Sequence, residues 1–264
     1  MLIDPKANRV RGVAKLNKKD ARSETGLFLL EGLQGLKEAL DRPKLIQEIY
    51  ATEASVEANP DLFARAKSAR VEVTMVKDLV LKAMVDTQSP QGVLAVCQQL
   101  DVSLEGVLAE QPRNLALLAN IRDPGNAGTV LRAADAAGAD AVLFSDNSVD
   151  VYKPKVVRST TGSLFHLPVV VGVDVLETIA SAKAAGLQVY AADGSGTALP
   201  SIAAAELVKP TLWVFGNEAW GFEPEVLAAV DKIVAVPIYG AAESLNLATA
   251  ASICLYGTAF AQNG

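Results

Sequence analysis

Histidine occurs once in the 264 residues, at His166, and cysteine twice, at Cys97 and Cys254. A structural zinc site needs several such ligands at short spacing, and a disulfide framework needs more cysteines in a smaller chain, so both are excluded. The cysteines read as free buried thiols of a reducing, cytoplasmic compartment. His166 stands among apolar neighbours in Ser163-Leu-Phe-His-Leu-Pro168 and reads as a hydrogen-bonded packing residue, which removes the usual general base. Aromatic residues are only 5% of the chain, so the core must be built from Ala, Val and Leu. Long apolar runs are also missing. The longest, Leu245 to Phe260, is interrupted by Asn246, Thr249, Ser252 and Thr258, too short and polar for a membrane span of ~20 residues. The opening Met-Leu-Ile-Asp-Pro-Lys meets charge at once and shows no secretory signal.

What is present is unevenly distributed. The net charge is −6, yet within residues 1–22 seven cations face two acids, which leaves that arm at +5 and the remainder at −11. A basic arm on an acidic body fits a protein that grips phosphates with one face; the plain alternative is a solvated helix. Residues 1–100 alternate strand-like runs (Leu27–Leu30, Leu45–Ala51, Val71–Val76, Val93–Cys97) with helical ones (Leu33–Leu40, Pro60–Ala69, Asp78–Val85), the pattern of a small α/β domain. Residues 101–112 have few periodic apolar positions and read as a linker. From residue 113 to 264, continuous apolar runs at Leu115–Ala119, Ala141–Phe144, Val169–Val171, Gln188–Ala192, Leu212–Phe215 and Ile233–Val236 alternate with Ala-rich helices. Such runs predict a parallel sheet covered on both faces.

Three segments of that second region place Gly or Pro beside Asn, Glu, Ser or Arg at the edge of an apolar run. They are Asp123-Pro-Gly-Asn-Ala-Gly-Thr-Val-Leu-Arg-Ala-Ala-Asp-Ala-Ala-Gly138, Phe215-Gly-Asn-Glu-Ala-Trp-Gly221 and Val236-Pro-Ile-Tyr-Gly-Ala-Ala-Glu-Ser-Leu-Asn246. In the first, a helix is expected to start near Asn126 with free amides able to meet an anion, and Arg132 follows nearly two turns on. In the second, Glu218 rides a tight loop between Gly216 and Gly221, while Trp220 reads as core. In the third, Ser244 and Asn246 open the final helix. Taken singly, each has an ordinary reading as a cap or a surface residue.

Together and in this order they resemble the signature of the SpoU-type RNA ribose methyltransferases of the SPOUT superfamily. The resemblance implies S-adenosylmethionine as cofactor, with Gly216, Val236, Ile238 and Leu245 holding the adenosine through loop backbone. It implies Asn126, Arg132, Glu218, Ser244 and Asn246 as the catalytic set. Accounts of the family cast the residue matching Arg132 as a base; a guanidinium that stays protonated is better suited to clamp a phosphate and stabilise an incipient alkoxide. The resemblance also implies a deep trefoil knot at the C-terminal end and a homodimer that completes the site, although topology rules alone argue against knots. The final helix, apolar almost all round, reads as buried.

In the N-terminal region, Gly26-Leu-Phe-Leu-Leu-Glu-Gly32 with Glu38-Ala-Leu40, and Ser89-Pro-Gln-Gly-Val-Leu-Ala-Val96, resemble the ribosomal-protein-like substrate-binding domain that precedes many SpoU domains. Folded RNA, ribosomal in preference to tRNA, is the implied partner, with no metal and no membrane. Two other functions stay open on the residues. One is a nucleotide-dependent oxidoreductase using Asp193-Gly-Ser-Gly-Thr-Ala-Leu199, which lacks the third glycine and reads better as a surface turn. The other is an RNA-binding protein without catalysis.

Overall fold

The computed structural model describes residues 1–264, which pack as two compact units. The first holds residues 1–100 together with 152–165, and the second holds 101–151 with 166–264.

In the first unit, strands β1 (Leu27–Glu31), β2 (Ile46–Ala51), β3 (Val73–Met75) and β4 (Val93–Gln98) form one sheet in the order β1-β4-β2-β3. β4 runs antiparallel to β1 and β2, and β3 lies parallel to β2 at the edge. The basic N-terminal stretch is not a free arm. Its helix Asn8–Lys15 buries Val10 and Val13, with Leu16 just beyond, against Val80, Leu81 and Met84. Two of its seven cations are spent internally: Arg9 pairs with Glu48 and Glu72, and buried Arg22 donates to the Leu16 carbonyl. The stretch Tyr152–Phe165, whose position in the sequence falls inside the expected second domain, packs here instead. Its Tyr152 and Phe165 rings lie 4.8 and 6.3 Å from that of Phe28, which has no solvent exposure. An aromatic cluster in a chain so poor in aromatics explains why this segment leaves its sequence neighbours.

In the second unit, six parallel strands take the order β10-β8-β9-β5-β6-β7. They are β5 (Asn114–Leu118), β6 (Ala141–Ser145), β7 (Val169–Val173), β8 (Gln188–Ala198), β9 (Thr211–Phe215) and β10 (Lys232–Ala235). β5, β6 and β9 are buried at every residue, as their unbroken apolar sequence requires of strands covered on both faces. Residues expected to form a linker contain the helix Leu104–Ala109, capped by Ser103, whose Val107 joins the core with Val175, Ile179 and Val226. One buried valine per two turns left too faint a periodicity to read.

The last helix, Leu247–Asn263, lies against β5, β8 and β9 and the helix Pro124–Ala136. Trp213 on β9 donates its indole N–H to Thr258 at 2.8 Å, so the one polar group on that buried ring finds a partner inside the helix face. The helix is not buried all round. Ala248, Ala251, Cys254, Leu255 and Ala259 face inward, while Ile253 is 39% and Phe260 is 70% exposed. No helix of the chain is long and apolar enough to cross a membrane.

Candidate functional site

At the carboxyl ends of β5, β8, β9 and β10 the second unit opens into a cavity of about 500 Å³. Open parallel sheets place ligands at this edge, outside the strand ends. All three motif segments reach it: Asn126 from the first, Gly216 and Glu218 from the second, and Val236, Ile238, Ser244, Leu245 and Asn246 from the third. Arg132 does not. It is exposed on the helix Pro124–Ala136, outside the cavity lining.

Local chemistry explains each placement. The first helix starts one turn earlier than expected, because Asp123 caps it by accepting from the Asn126 amide at 2.8 Å and Pro124 takes the first helical position. Asn126, relieved of capping, is free to bridge the other two segments. Its Nδ2 donates to Glu218 Oε1 at 3.2 Å, and its Oδ1 accepts from Asn246 Nδ2 at 2.9 Å. Asn246 is itself the cap of the last helix, its Oδ1 accepting from the amides of Ala248 and Thr249.

Glu218 closes the circuit. Its carboxylate accepts from the Arg122 amide at 3.1 Å and the Asp123 amide at 3.0 Å. The expected open anion site at this helix entry is therefore filled by the protein's own carboxylate, which suits the positive end of a helix dipole. Committed to three N–H donors, Glu218 works as a clamp between segments.

The loop bearing Glu218 is closed by reciprocal backbone bonds between Asn217 and Gly221, at 2.8 and 3.0 Å. Gly216 precedes it under tight constraint: a Cβ there would lie 2.7 Å from the Gly221 oxygen and 2.9 Å from its carbonyl carbon. Buried Asn217 donates to the Asn120 carbonyl at 2.6 Å, holding the end of β5 against the end of β9. Asn120 has φ +59°, a left-handed conformation that Asn tolerates better than most residues. Sequence reasoning quoted Asn217 within its motif but gave it no role.

The Gly-rich stretch after Ala192 is the expected turn, with Gly194 and Ser195 exposed, but it also borders the cavity. β8 extends to Ala198 on its far side, and Asp193 and Gly194 line the cavity. β10 pairs with Tyr190 and Ala191 on one side of this stretch and with Thr197 and Ala198 on the other. No α-helix opens after Gly196; a single 3₁₀ turn, Leu199–Ser201, follows, so the dinucleotide fingerprint is absent. Trp220 is 54% exposed rather than core, and His166 is exposed with Nδ1 2.7 Å from Asp135 Oδ2. Asp193, Glu218 and Glu243 line the cavity, and no Lys or Arg does. Such walls favour a cationic ligand over a pyrophosphate. Both cysteines are buried, and burial pushes the Cys254 thiol up to about 12 and Cys97 higher still.

Known proteins resemble this chain over nearly its whole length. The model of the SpoU rRNA methylase family matches residues 113–256, and that of the MRM3-like substrate binding domain matches residues 7–95. A relative from Bacillus subtilis, the 23S rRNA (guanosine(2553)-2'-O)-methyltransferase RlmP, is 34% identical over 95% of this chain and 96% of its own length. The 23S rRNA (uridine(2479)-2'-O)-methyltransferase of Streptomyces viridochromogenes is 28% identical over 92% of this chain and 86% of its own. Among solved structures, the AdoMet-bound rRNA methyltransferase from Sinorhizobium meliloti superposes with a TM-score of 0.84. It is 29% identical, and the match covers 97% of this chain and 96% of that one.

Proposed function

Since the chain belongs to the SpoU rRNA methylase family, we propose that it methylates a ribose 2′-hydroxyl of ribosomal RNA, using S-adenosylmethionine. The observation that carries this reading is the hydrogen-bonded chain Glu218–Asn126–Asn246, which ties three distant segments together at an acid-lined cavity. The residues fit the cofactor. Gly216, packed too tightly on Gly221 for any side chain, presents bare backbone to the cavity, while Val236, Ile238 and Leu245 supply apolar wall and loop backbone. Asp193 and Glu243 suit a ligand with a sulfonium and an ammonium. The bound cofactor supplies an activated methyl group.

The rest falls to the chain. Asn126, held at both ends of its amide, fixes one wall of the reaction site; Ser244, exposed at the mouth, is free to orient the incoming hydroxyl. Positioning of this kind supplies much of the rate in group transfer. Arg132, exposed outside the cavity, serves the RNA side: its guanidinium grips the phosphate next to the target ribose and stabilises negative charge developing on the 2′-oxygen.

Three finer features belong to the same reading. Residues 1–100 bind RNA, with exposed Arg11, Lys15, Lys18 and Lys19 meeting phosphates. The C-terminal segment is threaded as a trefoil knot, supported by the pairing of β10 with both flanks of the Ala192–Gly196 stretch and by the packing of Gly196 on the Ile233 backbone. The protein is a cytoplasmic homodimer, supported by its two unpaired cysteines and by the apolar outer face of the last helix at Ile253 and Phe260.

The test is transfer of labelled methyl groups to ribosomal RNA and to tRNA from cells lacking the gene, followed by mapping of ribose methylation. One ribosomal position should be labelled. Transfer to tRNA alone would move the substrate assignment, and transfer to neither would refute it.

A further inference from the structure

The first unit holds a cavity of its own, of about 200 Å³. It is bounded by the end of β1 at Glu31 and the start of the helix Leu33–Ala39, the Thr87–Gln91 loop before β4, and residues 157–162. Buried Leu30, Val93 and Val157 give it apolar walls. At ~30 Å³ per water, the space is that of several waters, too large for a single ion and too small for a folded element.

Glu31 gives the cavity its chemistry. Its side chain is only 6% exposed, an unusual place for a carboxylate. Oε1 accepts from Arg158 at 2.6 Å, but Oε2 is buried with no hydrogen-bond partner. The same Arg158 nitrogen also bonds Asp86 at 2.6 Å. One guanidinium shared between two carboxylates leaves the cluster with an uncompensated negative charge and no free cation for a phosphate. A buried acceptor left without a partner is costly, and a carboxylate can only accept. The missing element is an N–H donor on a compact, flat ligand.

We propose that this cavity is a nucleobase subsite that takes an unpaired, amino-bearing base of the RNA, with Glu31 accepting from the exocyclic amino group. The proposal rests on the RNA methyltransferase reading above. Cytosine and adenine carry such an amino group on their pairing edge and guanine carries one beside it, whereas uracil offers only a ring N–H flanked by two carbonyls that the carboxylate repels. Single-stranded RNA is read in this way, by bases splayed from the strand into pockets. Exposed Ser89 and Gln91 stand at the mouth, where a strand would enter. Burial pushes the Glu31 carboxyl up to about 6 against the pull of Arg158, with Asp86 adding to the rise. It is an acceptor at neutral pH, and the base preference fades toward pH 5.

The experiment is a binding series on the full chain, with the cofactor cavity saturated by S-adenosylhomocysteine. The probes are short single-stranded oligomers of cytidine, adenosine and uridine at one salt concentration. Oligocytidine and oligoadenosine should bind about tenfold tighter than oligouridine, the ratio that one charge-assisted hydrogen bond of about 1.4 kcal/mol gives. Glu31→Gln, which replaces an acceptor oxygen by a donor, should erase the preference without weakening oligouridine. Ser89→Leu, which fills the mouth and leaves the Glu31–Arg158 pair alone, should do the same and decides the matter if Glu31→Gln does not fold. Equal affinity for all three oligomers, or a preference that survives in the folded variants, would overturn the subsite while leaving the methyltransferase reading intact. Failure to bind any oligomer would overturn the subsite, while the substrate assignment would still stand or fall on methyl transfer to folded ribosomal RNA.

Discussion

Replacing Gly216 by alanine tests the cofactor cavity at its tightest point. The new Cβ would meet the Gly221 oxygen at 2.7 Å, the Gly221 carbonyl carbon at 2.9 Å and the Phe222 ring at 3.0 Å. Two of these atoms are backbone of a closed turn and cannot swing away. Relief requires the Asn217–Gly221 turn to open, straining both of its backbone hydrogen bonds and drawing Glu218 from the amides of Arg122 and Asp123. Overpacking of this kind costs ~1–3 kcal/mol. In a domain of this size that lowers the melting temperature by ~3–10 °C. Displacing the wall should weaken S-adenosylmethionine at least tenfold, or ~1.4 kcal/mol. Gly194→Ala is the control: it lines the same cavity, yet no atom lies within 4 Å of the added Cβ. It should melt like the parent and bind within about threefold of it, since a lone methyl in open space disturbs little. Calorimetric titration and thermal unfolding of the three proteins suffice. A Gly216→Ala protein that melts and binds like the parent would refute the close-approach argument, as would a Gly194→Ala protein that loses the cofactor.

Arg132→Ala should abolish methyl transfer while leaving cofactor affinity within about twofold, because Arg132 lies outside the cavity; Arg132→Lys should stay badly impaired, since an ammonium lacks the planar fork. Transfer at the parental rate by the alanine variant would remove Arg132 from the chemistry. Asn246→Ala removes both a helix cap and the bond to Asn126, so it should cost ~1 kcal/mol in unfolding and lower the rate as well; a pure stability loss at unchanged rate would confine Asn246 to capping. Phe260→Asp should shift the protein toward monomer in light scattering, and an unchanged mass would exclude this face from the dimer. Glu31, raised from 4.5 to about 6, favours the folded state when protonated. Its contribution is fully present below pH 4.5 and is lost as pH rises through 6, a trend that Glu31→Gln should flatten in pH-dependent unfolding.

The parallel sheet was legible because its strands are buried on both faces, which leaves unbroken apolar runs such as Leu115–Leu118 and Leu212–Phe215. Short elements that bury one or two side chains were not. Asn8–Lys15 sets three cations among its eight residues and buries only Val10 and Val13, and Leu104–Ala109 has only Val107 fully buried. The motif residues were legible as a set through their resemblance to a family, yet their individual roles were not. Asn126 has the composition of a cap and Glu218 that of a helix-start acid; only the fold brings them within 3.2 Å of each other. Asp193 and Gly194 were missed because a glycine-rich turn looks alike on a surface and beside a cavity. The return of Tyr152–Phe165 to the first unit depends on Phe28, far away in sequence, and no local pattern carries that information.

The pairing of β10 with both flanks of the Ala192–Gly196 stretch has a kinetic consequence. Half of the residues that line the cavity, from Val234 to Ala250, come later in the chain than every residue of the other half. The chain is made in sequence order, so β5–β9 and the Glu218 clamp residues precede those of the second wall. A nascent chain stopped before Lys232 therefore has one wall of the cavity and no second. Closure of the cavity is therefore a late event, which waits on the residues from Val234 to Ala250.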